Sequence, residues 1–241
     1  MHCNRWMKAL CGVSLATALA VPALASTLSF EGVGAGTILF PGDSINEGGF
    51  ELTATYSAGV VDTREAFGPG TGLDLAAPLG NPSQFFIGLN DAGISLKASD
   101  GSVFGLAGFD FAFVSALTGL FAMGEQAGLF LADYLKEDGS TGLGSWSFGA
   151  ADGGGNFSFI SAGLADMGGL ASGIREVEFY ACTFDIAGAC TFGDNFSQFA
   201  LDNIRNNVPA GTVPLPGTLA LTLLALGLAG GLRARANRSS R

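Results

Sequence analysis

The sequence predicts an all-β protein built from two packed antiparallel sheets. Three observations predict it. Glycine is abundant, at 38 of 241 residues, which lowers helix propensity and supplies turns. Phenylalanine is frequent, at 20 residues, and suits a pleated, half-buried surface. Apolar residues alternate with period two in about ten short segments, and no convincing long helical period appears. Many short strands with turn signals between them fit a jelly-roll-like sandwich.

The elements follow in chain order. Residues 28–32 open the body. Phe50, Leu52, Ala54 and Tyr56 share one strand face, with Glu51, Thr53 and Thr55 on the other. Residues 58–82 are rich in Gly, Pro and Asp and are expected to form a long loop. Strands over 85–89 and 94–98 flank Asn90-Asp91-Ala92-Gly93, a hairpin-like turn. Phe109, Phe111 and Phe113 line one face of the next strand. Residues 128–135 run into the turn Lys136-Glu137-Asp138-Gly139, and 146–148 pair back across it. Strands are also expected over 157–160, 175–181 and 198–205. Residues 161–172 are small and glycine-rich and read as a crossover with one helical turn.

Both ends carry addressing signals. Arg5 and Lys8 precede a short apolar stretch that ends at Ala23-Leu24-Ala25, so cleavage is expected between Ala25 and Ser26, and residues 1–25 form a signal-peptide helix. Val213-Pro214-Leu215-Pro216 opens the tail. An apolar run begins at Leu219 and ends at Leu232; counted from Leu215 it is about 27 Å long as a helix, enough to cross a hydrocarbon core of about 30 Å. Arg233, Arg235, Arg238 and Arg241 follow and are expected to stay on the cytoplasmic side. The domain plan is therefore a signal peptide over 1–25, a β-sandwich over 26–205, a linker over 206–212 and a sorting tail over 213–241.

The body over 26–212 holds all 21 acidic residues and only five basic ones, Arg64, Lys97, Lys136, Arg175 and Arg205. Its formal charge is 5 − 21 = −16. Such a surface repels phosphate backbones, so nucleic acid is not expected as a partner. The only histidine, His2, lies in the signal peptide, which leaves no Ser-His-Asp or Cys-His chemistry and no histidine-bearing zinc site in the exported form. No Gly-Lys-Ser/Thr loop is present. Cys182 and Cys190 are the two cysteines left after signal removal, and outside the cytoplasm a pair this close is expected to form a disulfide.

The remaining chemistry rests on carboxylates and aromatic rings. Glu176 and Glu178 sit two apart on one strand and point the same way. A glycosidase needs two carboxyl groups about 5–10 Å apart. The bland alternative, a solvated strand face, is favoured. Trp146, Tyr56, Tyr134 and Tyr180 are the candidates for a sugar-stacking face, with core packing the competing role.

The tail resembles the PEP-CTERM sorting signal of Gram-negative bacteria, which is cut by an exosortase. Leu215 stands where that motif carries glutamate. The resemblance implies export machinery and an exosortase-type sorting protease as partners. It also implies transient tethering in the inner membrane, then display at the cell surface or release.

Two further segments, the opening Phe30-Glu31-Gly32 and the closing Phe199-Ala200-Leu201-Asp202-Asn203-Ile204, look like the terminal strands of jelly-roll carbohydrate-binding modules. That resemblance implies neighbouring first and last strands and a structural calcium held by Glu31, Asp202 and Asn203, with Asp100 or Asp138 as further turn ligands. The function expected is that of a non-catalytic surface or extracellular-matrix protein that binds polysaccharide. The alternatives are a secreted glycan-active enzyme using Glu176 and Glu178, which resemble in part the strand-borne motif of β-sandwich glucanases, and a self-associating structural protein.

Overall fold

The structure, a computed structural model, describes residues 26–207 apart from Pro69, Gly72, Asp74, Thr118 and Asp194. The expected signal-peptide helix, sorting motif, transmembrane helix and arginine cluster all lie outside the described residues. No described helix is long and apolar enough to cross a membrane.

Among the described residues there are fourteen strands: β1 (Thr27–Leu28), β2 (Thr37–Leu39), β3 (Ser44–Glu47), β4 (Phe50–Thr55), β5 (Gly59–Asp62), β6 (Phe85–Gly88), β7 (Gly93–Ala98), β8 (Leu106–Phe113), β9 (Gly128–Lys136), β10 (Thr141–Ser147), β11 (Ile160–Ala162), β12 (Ile174–Phe184), β13 (Cys190–Thr191) and β14 (Phe199–Asn206). The first sheet runs β11-β8-β14-β6-β5-β2, with β1 also on β14. The second runs β10-β9-β12-β7-β4-β3, with β13 also on β12. Pairing within both sheets is antiparallel. The first and last strands are neighbours, Thr27 opposite Arg205 and Leu28 opposite Ile204.

The inner faces carry the aromatic alternation. Phe109, Phe111 and Phe113 of β8 and Phe199 of β14 meet Phe130 of β9 and Phe179 of β12 in one buried cluster. Phe130 stacks on Phe111 at 4.8 Å between centroids and on Phe179 at 5.7 Å, so one ring ties the two sheets together. A smaller cluster covers the outer face of the first sheet, where Val60, Phe85, Ile87 and Ala200 pack beneath Phe67 and Ala77.

Several expectations are corrected. The loop expected over 58–82 contains β5, whose Val60 and Val61 face opposite clusters; a strand buried on both sides shows no alternation. β2 is hidden by its three-residue length and β3 by its short, polar sequence. β10 begins at Thr141 rather than 146, because Thr-Gly-Leu-Gly-Ser offers little apolar contrast. The strand expected over 157–160 lies at Ile160–Ala162. β1 stops at Leu28 because the chain turns at Phe30, a buried residue with φ of 61°. β14 ends at Asn206, one residue inside the expected linker. The crossover over 161–172 does contain helical turns, both 3-10, at Leu164–Asp166 and Gly168–Ala171.

Cys182 and Cys190 are disulfide-bonded, with Cα atoms 5.5 Å apart, and they staple β13 to the end of β12. The loop that follows β13 is held separately: the Asp91 carboxylate accepts the N–H groups of Gly193, Asn195 and Ser197. Closing an eight-residue loop by a disulfide stabilises by about 2.5 kcal/mol in the chain-entropy model. The paired serine variant C182S/C190S is therefore expected to unfold at lower denaturant by about that free energy, measured by equilibrium urea denaturation. An unchanged midpoint would show that Asp91 alone suffices to hold the segment.

Candidate functional site

Residues of the second sheet that point away from the core assemble a groove. Val177, Phe179 and Ala181 of β12 face inward, which sends Glu176, Glu178 and Tyr180 outward. Glu178 lies directly opposite Asp133 of β9 on one side and Ser95 of β7 on the other. Glu176 lies opposite Leu135, just past a bulge in β12 between Ile174 and Glu176. The groove has a volume of about 660 Å³, with Asp133, Leu135, Thr141, Leu143, Glu176 and Glu178 along its walls.

Each carboxylate is oriented by a donor. The Tyr180 hydroxyl donates to Asp133 Oδ2 at 2.8 Å, and the Tyr56 hydroxyl donates to Glu178 Oε2 at 3.3 Å. Ser95 Oγ donates to Glu176 Oε1 at 2.8 Å, and Lys97 Nζ lies 3.1 Å from the same oxygen. Burial first, then the Asp133 carboxylate, pushes the Tyr180 hydroxyl well above the usual phenol range. The Glu178 charge chiefly raises that of Tyr56. Both phenols therefore stay protonated and act as donors at any physiological pH. Two carboxylates set directly opposite each other repel, and the tyrosine hydroxyls offset part of that cost.

Aromatic surface borders the groove. Tyr56 is 73% exposed and sits just past β4 with φ of 62°. Phe192, 54% exposed, leans on the Tyr180 ring at 5.8 Å between centroids, where the disulfide hairpin holds it. Two of the expected stacking residues turn their rings to the core side, although Tyr134 also forms part of the groove wall. Trp146 turns toward the core and meets Phe109 edge-on at 4.9 Å. Tyr134 turns to the same side, and its hydroxyl fills the space where Gly142 and Gly169 lack a Cβ.

The expected calcium ligands take separate partners. Glu31 accepts from the Gln84 N–H at 2.9 Å. Asp202 Oδ2 accepts from Asn81 Nδ2 at 2.7 Å and Ser83 Oγ at 2.9 Å. Asn203 turns away and donates through Nδ2 to Asp110 Oδ2 at 2.9 Å, because φ of 49° at this residue bulges β14. Asp110 also accepts from Ser161 and Arg205. Asp100 and Asp138 each cap their own turns, on Ser102 and Ser140. Among the described residues, no three His, Cys, Asp or Glu side chains gather as a metal-holding group.

Asp202 is fully buried, and among the described residues no hydrogen-bond donor reaches its Oδ1. Burial pushes its carboxyl up to about 6, against an ordinary 3.8, although the Asn81 and Ser83 donors work the other way. A raised folded-state value means that the folded form binds the extra proton. Stability from protonated Asp202 is complete below pH 3.8 and is lost as pH rises through about 6. In calcium-free buffer the melting temperature relative to Asp202→Asn should therefore fall between pH 4 and pH 7, by the equivalent of about 2–3 kcal/mol. A constant difference between the two proteins across that range would contradict the assignment.

No family model matches the chain, and no curated protein matches it. Solved structures do. The chain is similar to a DUF4465 family protein from Bacteroides caccae, with 13% identity over 76% of this chain and 99% of that one, at a TM-score of 0.48. It is similar to the C-terminal family 22 carbohydrate-binding module of Clostridium thermocellum Xyn10B, with 13% identity over 79% of this chain and 95% of that one, at a TM-score of 0.33. The enzymatically active domain of bacteriophage CBA120 tailspike protein 4 shows 14% identity over 68% of this chain and 20% of that one, at a TM-score of 0.30.

Proposed function

We propose that the protein is an exported, non-catalytic component of the cell surface or extracellular matrix that binds neutral polysaccharide in the groove of the second sheet. The observation that carries this reading is the set of three outward carboxylates, Asp133, Glu176 and Glu178, each oriented by a side-chain donor beside the exposed ring of Tyr56. Ionised carboxylates are strong acceptors for vicinal sugar hydroxyls. Aromatic faces supply apolar contact to sugar rings, and such a mixture is typical of ligand sites. One lysine among three acids leaves the groove negative, so polyuronates and sulfated glycans are repelled.

Equilibrium binding to soluble xylan, β-glucan, alginate and heparin tests it. Binding to a neutral glycan that is insensitive to salt, with no release of reducing ends, is the expected result. Hydrolysis lost in Glu176→Gln or Glu178→Gln would move the protein to the glycan-active enzymes instead. Export through the signal peptide, tethering by the tail and cutting by an exosortase-type protease complete the reading. Intact mass of the surface form tests these steps, since it reports loss of residues 1–25 and of the tail.

Calcium enters the proposal in reduced form. Asp202 Oδ1 and Glu31, which both sit against residues 81–84, would be its carboxylates, and Asn203 drops out because the bulge in β14 turns its side chain away to Asp110. Such an ion would supply charge compensation for the buried Asp202. Adding calcium to chelator-treated protein at neutral pH is expected to raise the melting temperature of the wild type and not of Asp202→Asn. An equal melt with and without calcium would remove the ion from the account.

A further inference from the structure

Among the described residues, the strand β10 ends the second sheet and pairs only with β9. Its register with β9, together with the bonds Lys136 N–H to Ser140 C=O and Phe148 N–H to Gly128 C=O, fixes which backbone groups are used. Even-numbered residues of β10 bond to β9. Thr141, Leu143, Ser145 and Ser147 therefore direct their N–H and C=O groups outward, to the free edge. Those four residues are exposed, and the strand carries no charge and no proline. The other sheet-end strands among the described residues are short: β2 has three residues, β11 three, and β3 four, ending in Glu47. Proteins blunt an edge with brevity, charge or proline, and β10 has none of these.

We infer that β10 is a homodimer seam, at which a second copy of this chain adds its own β10 antiparallel. The sequence Thr-Gly-Leu-Gly-Ser-Trp-Ser is self-complementary about Gly144. With the two-fold axis at Gly144, Leu143 faces Ser145 of the partner subunit and Thr141 faces Ser147 of the partner subunit. These are the residues with free backbone groups. Four residues per copy, each with one donor and one acceptor, form eight hydrogen bonds across the seam. The axis passes through a non-hydrogen-bonded glycine pair, where two backbones come closest. Every facing pair is uncharged, which matters for a body of charge −16. Two seven-stranded sheets then continue as one. Thr141 and Leu143 also wall the groove, so the seam sets two grooves side by side and makes the protein bivalent toward a long chain.

Register-specific cross-linking of the full-length chain, with Cys3 and Cys11 replaced by serine so that no other free thiol remains, tests the seam. Leu143 is 57% exposed and Ser145 faces solvent, so single cysteines at either place leave the core untouched. Opposed residues in a hydrogen-bonded antiparallel pair have Cα atoms about 5.5 Å apart, within disulfide reach. Mild oxidation of L143C mixed with S145C is expected to give a covalent dimer, whereas neither variant alone does. Ser145→Pro removes an outward N–H that β9 does not use, and it should reduce the dimer about tenfold or more with an unchanged circular dichroism spectrum. Raising ionic strength should favour the dimer by screening like charges. Equal cross-linking in the single-variant controls, a monomer at high salt and high protein concentration, or β10 occupied only by an extended segment of another protein would each overturn the inference. None of these outcomes bears on whether the groove binds glycan.

Discussion

Phe130→Ala is expected to be the most damaging single substitution in the core, costing about 3–5 kcal/mol. The ring is fully buried on β9 and meets both sheets. It stacks on Phe111 and Phe179 and lies 5.5 Å from Phe109 and 5.3 Å from Phe199 between centroids. Removing it deletes apolar burial and leaves a cavity lined by rings that are fixed by two separate sheets, so the site cannot collapse. For a domain of this size each kcal/mol shifts the melting temperature by about 2–4 °C, which gives a fall of about 6–20 °C. Leu143→Ala, on the outer face, should change stability by less than about 0.5 kcal/mol. Thermal and urea denaturation of the two variants, side by side, check the pair of expectations.

The second large effect concerns binding. Asp133→Asn combined with Glu178→Gln is expected to weaken neutral-glycan binding by at least tenfold while leaving the fold intact or slightly more stable. A hydrogen bond to a charged acceptor is worth about 1.5–3 kcal/mol, against about 1 for a neutral one. Losing the charge on two acceptors therefore costs about 1.4 kcal/mol or more, which is the tenfold change. Stability should not fall, because the two carboxylates are directly opposed and their repulsion disappears with their charge. A double variant that binds as tightly as wild type would place any glycan site elsewhere. Isothermal titration and a melting curve on the same sample separate loss of binding from loss of fold.

The sequence made the sandwich legible where burial is one-sided. Phe50, Leu52 and Ala54, and the three phenylalanines of β8, announce their inner face by alternation, and all are buried. It hid what depends on pairing. Glu176 and Glu178 were readable as a same-face pair from spacing alone. Asp133, the third wall of the groove, was not, since its place opposite Glu178 follows from the β9–β12 register. Trp146 illustrates the same limit: its face is set by β10, whose glycine-rich start gives no period to read. Tyr56 was expected to share the inner face of β4, but the positive φ there rotates it out to Glu178. Asp202 and Asn203 were read as a unit from adjacency, and the bulge between Asp202 and Arg205 sends them to different partners.

Glycan binding in the groove is tested by a residue-resolved amide-shift titration of the protein with neutral xylo- and gluco-oligosaccharides. Binding in the groove is expected to perturb Asp133, Leu135, Leu143, Glu176 and Glu178, with Tyr56 and Tyr180 following, and to leave the first sheet still. Shifts confined to the first sheet, or an unchanged spectrum with every neutral glycan at about 1 mM, the weak end of specific affinity, would rule out the groove as a neutral-glycan site.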